Sequence, residues 1–232
     1  MRYGQGIAIA LIAAALAAPA RGATPDEAQL RRAFGAFIQG GELRLDVVPD
    51  LYPGGYARIS VYARGADLGG MLVDEAWFRL TGASLDPEAL RGGTLRVLEV
   101  RDSAMYVRVS LRSLEAYFQR SDGVQDVRLS SDGQYLYGRG AVLLGGTPAR
   151  VAFKGFFAVG GTKEIYFYIE DLRLNGLPVL TPLLRRWEQD INPIFSQALW
   201  PVTFKLRALR MTREGFVVSS QADPAAPCLF CT

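Results

Sequence analysis

Between residues 124 and 175 apolar and polar positions alternate in long runs, interrupted at Asp132-Gly133, Gly145-Gly146 and Gly160-Gly161. Alternation of period two places successive side chains on opposite faces of a strand, and the glycine dipeptides supply turns. The pattern predicts four antiparallel strands of roughly 11 residues each, well beyond the usual mode of about 5 to 6. Strands that long twist, so the sheet is expected to curl around an elongated apolar space. Asp132-Gly133 reads as a two-residue type I′ hairpin loop.

The same alternation occurs upstream. Leu43, Leu45 and Val47 face away from Glu42, Arg44 and Asp46, and Ala57, Ile59, Val61 and Ala63 face away from Arg58, Ser60, Tyr62 and Arg64. Leu72, Ala76, Phe78 and Leu80 share a face with Asp74, which makes Asp74 a candidate inward-pointing acid, while Val73, Glu75, Trp77 and Arg79 take the other face. A further long strand pair is expected over 94–110.

Helical spacing appears in separate places. Thr24-Pro25-Asp26-Glu27 reads as an N-cap, a first-turn proline and a glutamate at the third helical position. The helix it opens carries Leu30, Phe34, Phe37 and Ile38 on one face and stops at Gly40-Gly41. Short helices are expected at 85–90 and at 110–119, the latter carrying Leu111, Leu114, Tyr117 and Phe118. After an Asn175-Gly176-Leu177-Pro178 turn, Thr181-Pro182 is expected to cap a helix with Leu180, Leu183, Leu184, Trp187, Ile191, Ile194 and Phe195 at helical spacing. Arg185, Arg186, Glu188, Gln189 and Asp190 take its polar face, Pro193 predicts a kink near Asn192, and Trp200-Pro201 ends it. Strands at 204–211 and 215–219 then return along the sheet. The expected fold class is α+β: a long, strongly curved antiparallel sheet wrapped around the amphipathic C-terminal helix, with the N-terminal helix packed on it.

Arg2 followed by the small-apolar run Ile7–Ala18 reads as a secretory signal peptide over residues 1–22, with an uncleaved anchor as the alternative. The run has 12 residues, where a membrane-spanning helix needs about 20. The remaining organisation is an N-terminal helix at 23–41, one β-rich domain at 42–220 and a tail at 221–232. The expected location is the periplasm or cell envelope.

Charge and chemistry narrow the function classes. Basic residues number 26 and acidic residues 23, with lysine only at 154, 163 and 205, and no basic run or motif supports nucleic-acid binding. Scattered arginine is ordinarily a solvated face, although its guanidinium also matches phosphate geometry. The chain has no histidine, which removes Ser-His-Asp triads, Cys-His dyads and histidine-ligated zinc. Cys228 and Cys231 lie together in a Pro/Ala-rich tail and cannot staple the core. Asp74 and Glu75 are neighbours on a strand and point to opposite faces, so they cannot flank one scissile bond. No catalytic residue, metal site or cofactor is expected.

The hairpin at Leu129–Gly133, the Asn-Gly-Leu-Pro turn before a late helix, the Trp-Pro that follows and the order of strands over roughly 42–219 resemble the bacterial LmeA-like phospholipid-binding proteins. That resemblance implies a secreted envelope protein with a fold related to the tubular lipid-binding modules of bactericidal/permeability-increasing protein, and no catalytic residues. The implied partner is a phospholipid or another acyl-chain lipid, with transient membrane-surface contact. The candidate contacts are Leu180, Leu183, Leu184, Trp187, Ile191 and Phe195 on the late helix and Phe153, Phe156, Ile165 and Phe167 on the sheet. The bland alternative is that these residues fill a dry core. A second function class, an envelope adaptor that docks a partner protein, stays open, and so does a weaker third, a carboxylate-dependent hydrolase whose two acids would have to converge across strands.

Overall fold

A computed structural model describes residues 25–222 apart from 53, 121–122, 145 and 199. The expected signal peptide, the Thr24 cap and the cysteine tail lie outside the described residues. Helix α1 (Pro25–Phe37) leads into β1 (Ile38–Gln39), β2 (Glu42–Pro49), β3 (Gly55–Leu68), β4 (Met71–Leu85), α2 (Pro87–Arg91), β5 (Val97–Ser110) and α3 (Leu111–Gln119). A second set follows: β6 (Val124–Ser131), β7 (Leu136–Leu144), β8 (Thr147–Gly160), β9 (Glu164–Leu174), β10 (Leu177–Pro178), α4 (Thr181–Ile191) and β11 (Phe195–Ser196). The chain ends in β12 (Ala208–Thr212) and β13 (Gly215–Ser219). The class is α+β, dominated by antiparallel sheet.

Two sheets share the strands. The first runs β1-β3-β4-β5-β13-β12 with β2 also on β3, and the second runs β10-β9-β8-β7-β6 with β11 on β9. The closing hairpin therefore returns beside β5, with Phe216 opposite Val109. Phe157 and Phe216 bridge the sheets with ring centroids 5.0 Å apart. Helix α1 buries Leu30, Ala33 and Phe34, as its spacing demands.

Three expectations about local structure are corrected. Residues 94–110 form one strand, not a pair; β4 and β13 flank it on either side. Ser131 pairs with Leu136, so the loop at Asp132-Gly133 has four residues, and only Gly133 takes a positive φ. The type I′ geometry belongs instead to Asn175-Gly176, both at positive φ between the paired Leu174 and Leu177. Finally, α4 starts after Leu180 with no side-chain cap and stops at Ile191, with Asn192 extended. Pro193 cannot donate to the helix and disfavours helical backbone before it, so it ends α4 instead of kinking it. Ile194 and Phe195 therefore leave the helix, and Phe195 pairs with Ile165.

The Asp132 loop has its own pH signature. Its carboxylate accepts from the Tyr135 and Gln134 amides at 2.7 and 2.8 Å and from the Tyr137 hydroxyl at 2.8 Å. The Tyr135 amide is the main cause of a pKa lowered to about 2. Because the folded value lies below the ordinary one, the loop's contribution is complete above about pH 4 and is lost as pH falls through about 2. The Tyr135 amide resonance is expected to titrate with a midpoint near 2; a midpoint near 4 would mean that the bond is absent in solution.

The edges of the second sheet are closed by helices. On β6 the Leu129 amide donates to Glu115 Oε1 of α3 at 2.7 Å, and Gln119 Nε2 donates to the Val127 carbonyl at 3.5 Å. On β9 the Ile169 amide donates to Glu188 Oε1 of α4 at 2.7 Å. Asn192 completes the edge, accepting from the Phe167 amide at 2.7 Å and donating to its carbonyl at 2.8 Å. Unpaired strand edges template aggregation, and these side chains occupy the groups that would do so. Glu188, expected on the polar face of the helix, is thus a substitute strand partner.

Candidate functional site

The candidate lipid contacts do not form one surface. Ile165 and Phe167 are fully buried, and Phe153 packs beside them with its ring 5.6 Å from Phe167. Phe156 points out of the opposite face of the sheet and stacks on Tyr168 at 5.5 Å. Its neighbour Gly155 occupies the inner face with Phe153 and Phe157, as alternation along β8 requires; the bulge beside it falls on β9, where Glu170 is the extra residue. No residue of α4 is fully buried. Leu184, Trp187 and Ile191 are half-buried, while Leu183 and the preceding Leu180 are exposed, Leu180 by 79 %. The helix lies along the edge of β9, and the inner face of the sheet is filled by its own phenylalanines and by Phe118 of α3.

Asp74 also has a local explanation. Ala63 and Ala66 of β3, and Val73 and Ala76 opposite them, are all buried, so the inside-outside alternation slips by one residue on both strands. The slip falls at Gly65, whose φ of 61° is open to glycine, and at Asp74, its position across the ladder. Freed from the pleat, the Asp74 carboxylate accepts the Ser110 amide at 2.5 Å and the Ser113 hydroxyl at 3.4 Å, supporting the start of α3. Glu75 is held by Arg108 at 3.3 Å and by the Trp77 indole at 3.0 Å. Burial and the adjacent Glu75 raise the pKa of Tyr106 on the same outer face. Among the described residues no three acidic or thiol groups converge to hold a metal.

The apolar space that the sequence suggested lies elsewhere, between the two sheets. Met71, Val73, Met105, Val107, Ile165 and Phe216 line a crevice with no polar surface and a volume of about 20 Å³. That is room for about one water molecule, so the crevice is closed as it stands. Two of its walls, Met71 and Met105, are methionines, whose unbranched side chains adapt most easily to a new neighbour. Leu68, Met71 and Phe195 line both this crevice and an open cleft of about 460 Å³. The cleft is walled by Phe37 of α1, Tyr117 of α3 and Trp200.

Trp200 is the hub of that wall. Its indole meets Phe37 at 4.6 Å, Phe195 at 5.1 Å, Phe78 at 5.8 Å and Phe204 at 6.2 Å, all edge-on. The segment carrying it is pinned by buried Gln197, which accepts the Phe204 amide at 2.7 Å and donates to the Phe204 carbonyl at 3.1 Å. At the rim Arg120 reaches Asp67 at 3.3 Å and the Gly70 carbonyl at 2.8 Å, tying the β3–β4 turn to α3. Sequence reasoning placed Phe37 and Phe195 on helix faces and took Trp200 for a helix end. It missed the cleft because Met71, Tyr117 and Trp200 come from three distant segments. The only local signal was the alternation of Phe204 and Leu206 with Lys205 and Arg207, which marks an extended segment over the core.

No protein-family model, no curated protein and no solved structure matches this chain.

Proposed function

We propose that the protein is a non-catalytic lipid-binding protein of the cell envelope, a carrier or sensor, whose acyl-chain site is the apolar crevice beneath Phe195 and Trp200. The observation that carries this reading is the continuity of the two spaces: an open cleft shares Leu68, Met71 and Phe195 with a crevice of purely apolar lining. An acyl chain occupies the crevice by displacing the Phe195 ring and spreading the Met71 and Met105 side chains. Each methylene it buries contributes about 0.8 kcal/mol, which offsets the cost of parting the walls without any polar contact. The LmeA-like pattern of turns supports the same class. In this reading Ile165 and Phe195 of the second sheet close over the lipid from one side, and the exposed Leu177, Leu180 and Leu183, flanked by Arg185 and Arg186, touch the membrane while a lipid is exchanged.

Wild-type protein incubated with phosphatidylcholine vesicles, re-isolated and weighed by native mass spectrometry, is expected to carry a phospholipid. The Phe195→Asp variant, checked for native circular dichroism, is expected to hold at least about tenfold less, since a charge now lines the entrance. A wild-type mass equal to that of the bare chain overturns the proposal without any appeal to the variant.

The competing reading is an adaptor that docks a partner protein. It is favoured by the small volume of the crevice and by the exposed aromatic face of the second sheet, where Tyr135, Phe156 and Tyr168 cluster around Lys154.

A further inference from the structure

Apart from the apolar crevice, the molecule carries a second cleft, of about 660 Å³, with the opposite chemistry. Its floor is the stretch of β5 over 100–104, beyond the last rung that β5 shares with β13 at Tyr106 and Ser219. Arg79 of β4 and Arg101 of β5 rise from this side, and Lys163, Lys205 and Arg207 from the facing side. Asp102 is the one carboxylate of the cleft among the described residues. Five cations against one carboxylate leave the cleft at +4, more than the +3 of the whole chain. None of the five forms an ion pair among the described residues.

This concentration of charge is held in place by the fold. Phe204 and Leu206 are buried at 3 % exposure each, so Lys205 and Arg207 project together from the other side of an anchored extended segment. The Leu206 amide donates to the Thr162 carbonyl at 2.9 Å, which fixes Lys163 beside them. Arg101 lies over Gly82, its Nε 3.4 Å from where a Cβ would stand, so a side chain there would displace the guanidinium. Like charges so placed repel, and a bound anion relieves that repulsion. The cleft also presents hydroxyls from Ser103, Thr162 and Thr203. Its volume falls within the range of about 300–1,000 Å³ typical of small-molecule sites.

We infer that this cleft binds a phosphate-bearing anion, with Arg101, Lys205 and Arg207 as its principal contacts. Guanidinium forks suit phosphate oxygens bidentately, and the lysines add point charges. The inference does not depend on the acyl-chain site, since no residue lines both.

Full-length protein titrated calorimetrically with inorganic pyrophosphate is expected to bind it, more weakly as salt is raised. The Lys205→Glu/Arg207→Glu variant, altered only at exposed positions, is expected to bind at least about tenfold more weakly, while an Arg128→Glu/Arg139→Glu control, also exposed, is unchanged. Co-sedimentation with phosphatidylcholine vesicles, with and without phosphatidic acid, separates the sources. Pyrophosphate binding without vesicle binding assigns a soluble phosphate compound; retention on acidic vesicles that is lost in the 205/207 variant assigns a lipid headgroup. No binding to either probe, or binding that survives charge reversal at 205 and 207, overturns the inference. Native mass spectrometry of the 205/207 variant with neutral lipid reports on the crevice separately.

Discussion

Phe167→Ala is expected to lower the stability of the domain by about 3–5 kcal/mol, a large share of the 5–15 kcal/mol typical of a folded domain. The Phe167 ring is 2 % exposed and meets Phe157 at 5.0 Å, Phe153 at 5.6 Å and Phe118 at 6.5 Å. It also covers Gly155, where its Cζ would lie 2.5 Å from a Cβ, so the strand beneath is shaped to receive it. Truncation loses the transfer energy of the ring and leaves a cavity that the three other rings, two held on β8 and one on α3, cannot all close. Urea unfolding followed by circular dichroism measures the cost. A loss under about 1 kcal/mol would mean that the inner face of the second sheet is loosely packed and open to a ligand, which would move the proposed acyl-chain site back to the late helix.

Asn192→Ala is expected to cost about 2–3 kcal/mol, unusually much for a half-buried polar residue. The substitution orphans both the Phe167 amide and the Phe167 carbonyl on the edge of β9. It also cuts one of the two side-chain ties between that edge and the α4 region, leaving Glu188 on Ile169. Asn192→Asp keeps an acceptor for the amide and loses the donor for the carbonyl, so its cost should be intermediate. Hydrogen exchange at Phe167 and Ile169 should quicken selectively in the alanine variant. Unchanged exchange at both amides would show that α4 does not guard this edge in solution.

These two sites show what was legible in the sequence. The four long strands of the second sheet, α1 with Leu30 and Phe34 inward, and the short α3 follow from periodicity and turn residues, because those signals act over a few neighbouring positions. The role of Asn192 was not legible. Its pattern position marked a helix kink, and nothing local says that its amide completes a strand 25 residues earlier. Glu188 failed to read for the same reason, since an acid satisfied by a backbone amide of another element looks in sequence like any solvated charge, and Asp74, singled out as inward-pointing, gave no sign that its partner is the Ser110 amide. The slip at Gly65 moved Asp74 off the face to which strict alternation assigned it. Alternation cannot foresee where a glycine lets the pleat slip.

The candidate site was half legible. Phe195, Ile165 and Phe167 were singled out, and Phe195 and Ile165 line the crevice. The late helix was given the central place because its apolar stripe is the strongest in the chain. A stripe shows that one face avoids water without naming its partner, and here much of it rests on a sheet edge with Leu180 and Leu183 exposed. The crevice residues Met71, Met105 and Phe216 come from strands far apart in sequence, so only the sheet topology brings them together. The basic cleft was hidden likewise, its five cations being scattered from residue 79 to residue 207.

The proposed acyl-chain site lies between the two sheets, with its entrance past Phe195. The most direct measurement is photo-crosslinking with a phospholipid that carries a diazirine on its acyl chain, followed by peptide mapping of the adducts. Adducts are expected on Met71, Met105 and Phe195. Adducts confined to Leu177, Leu180 and Leu183 would place the lipid on the outside of α4 and contradict the proposal.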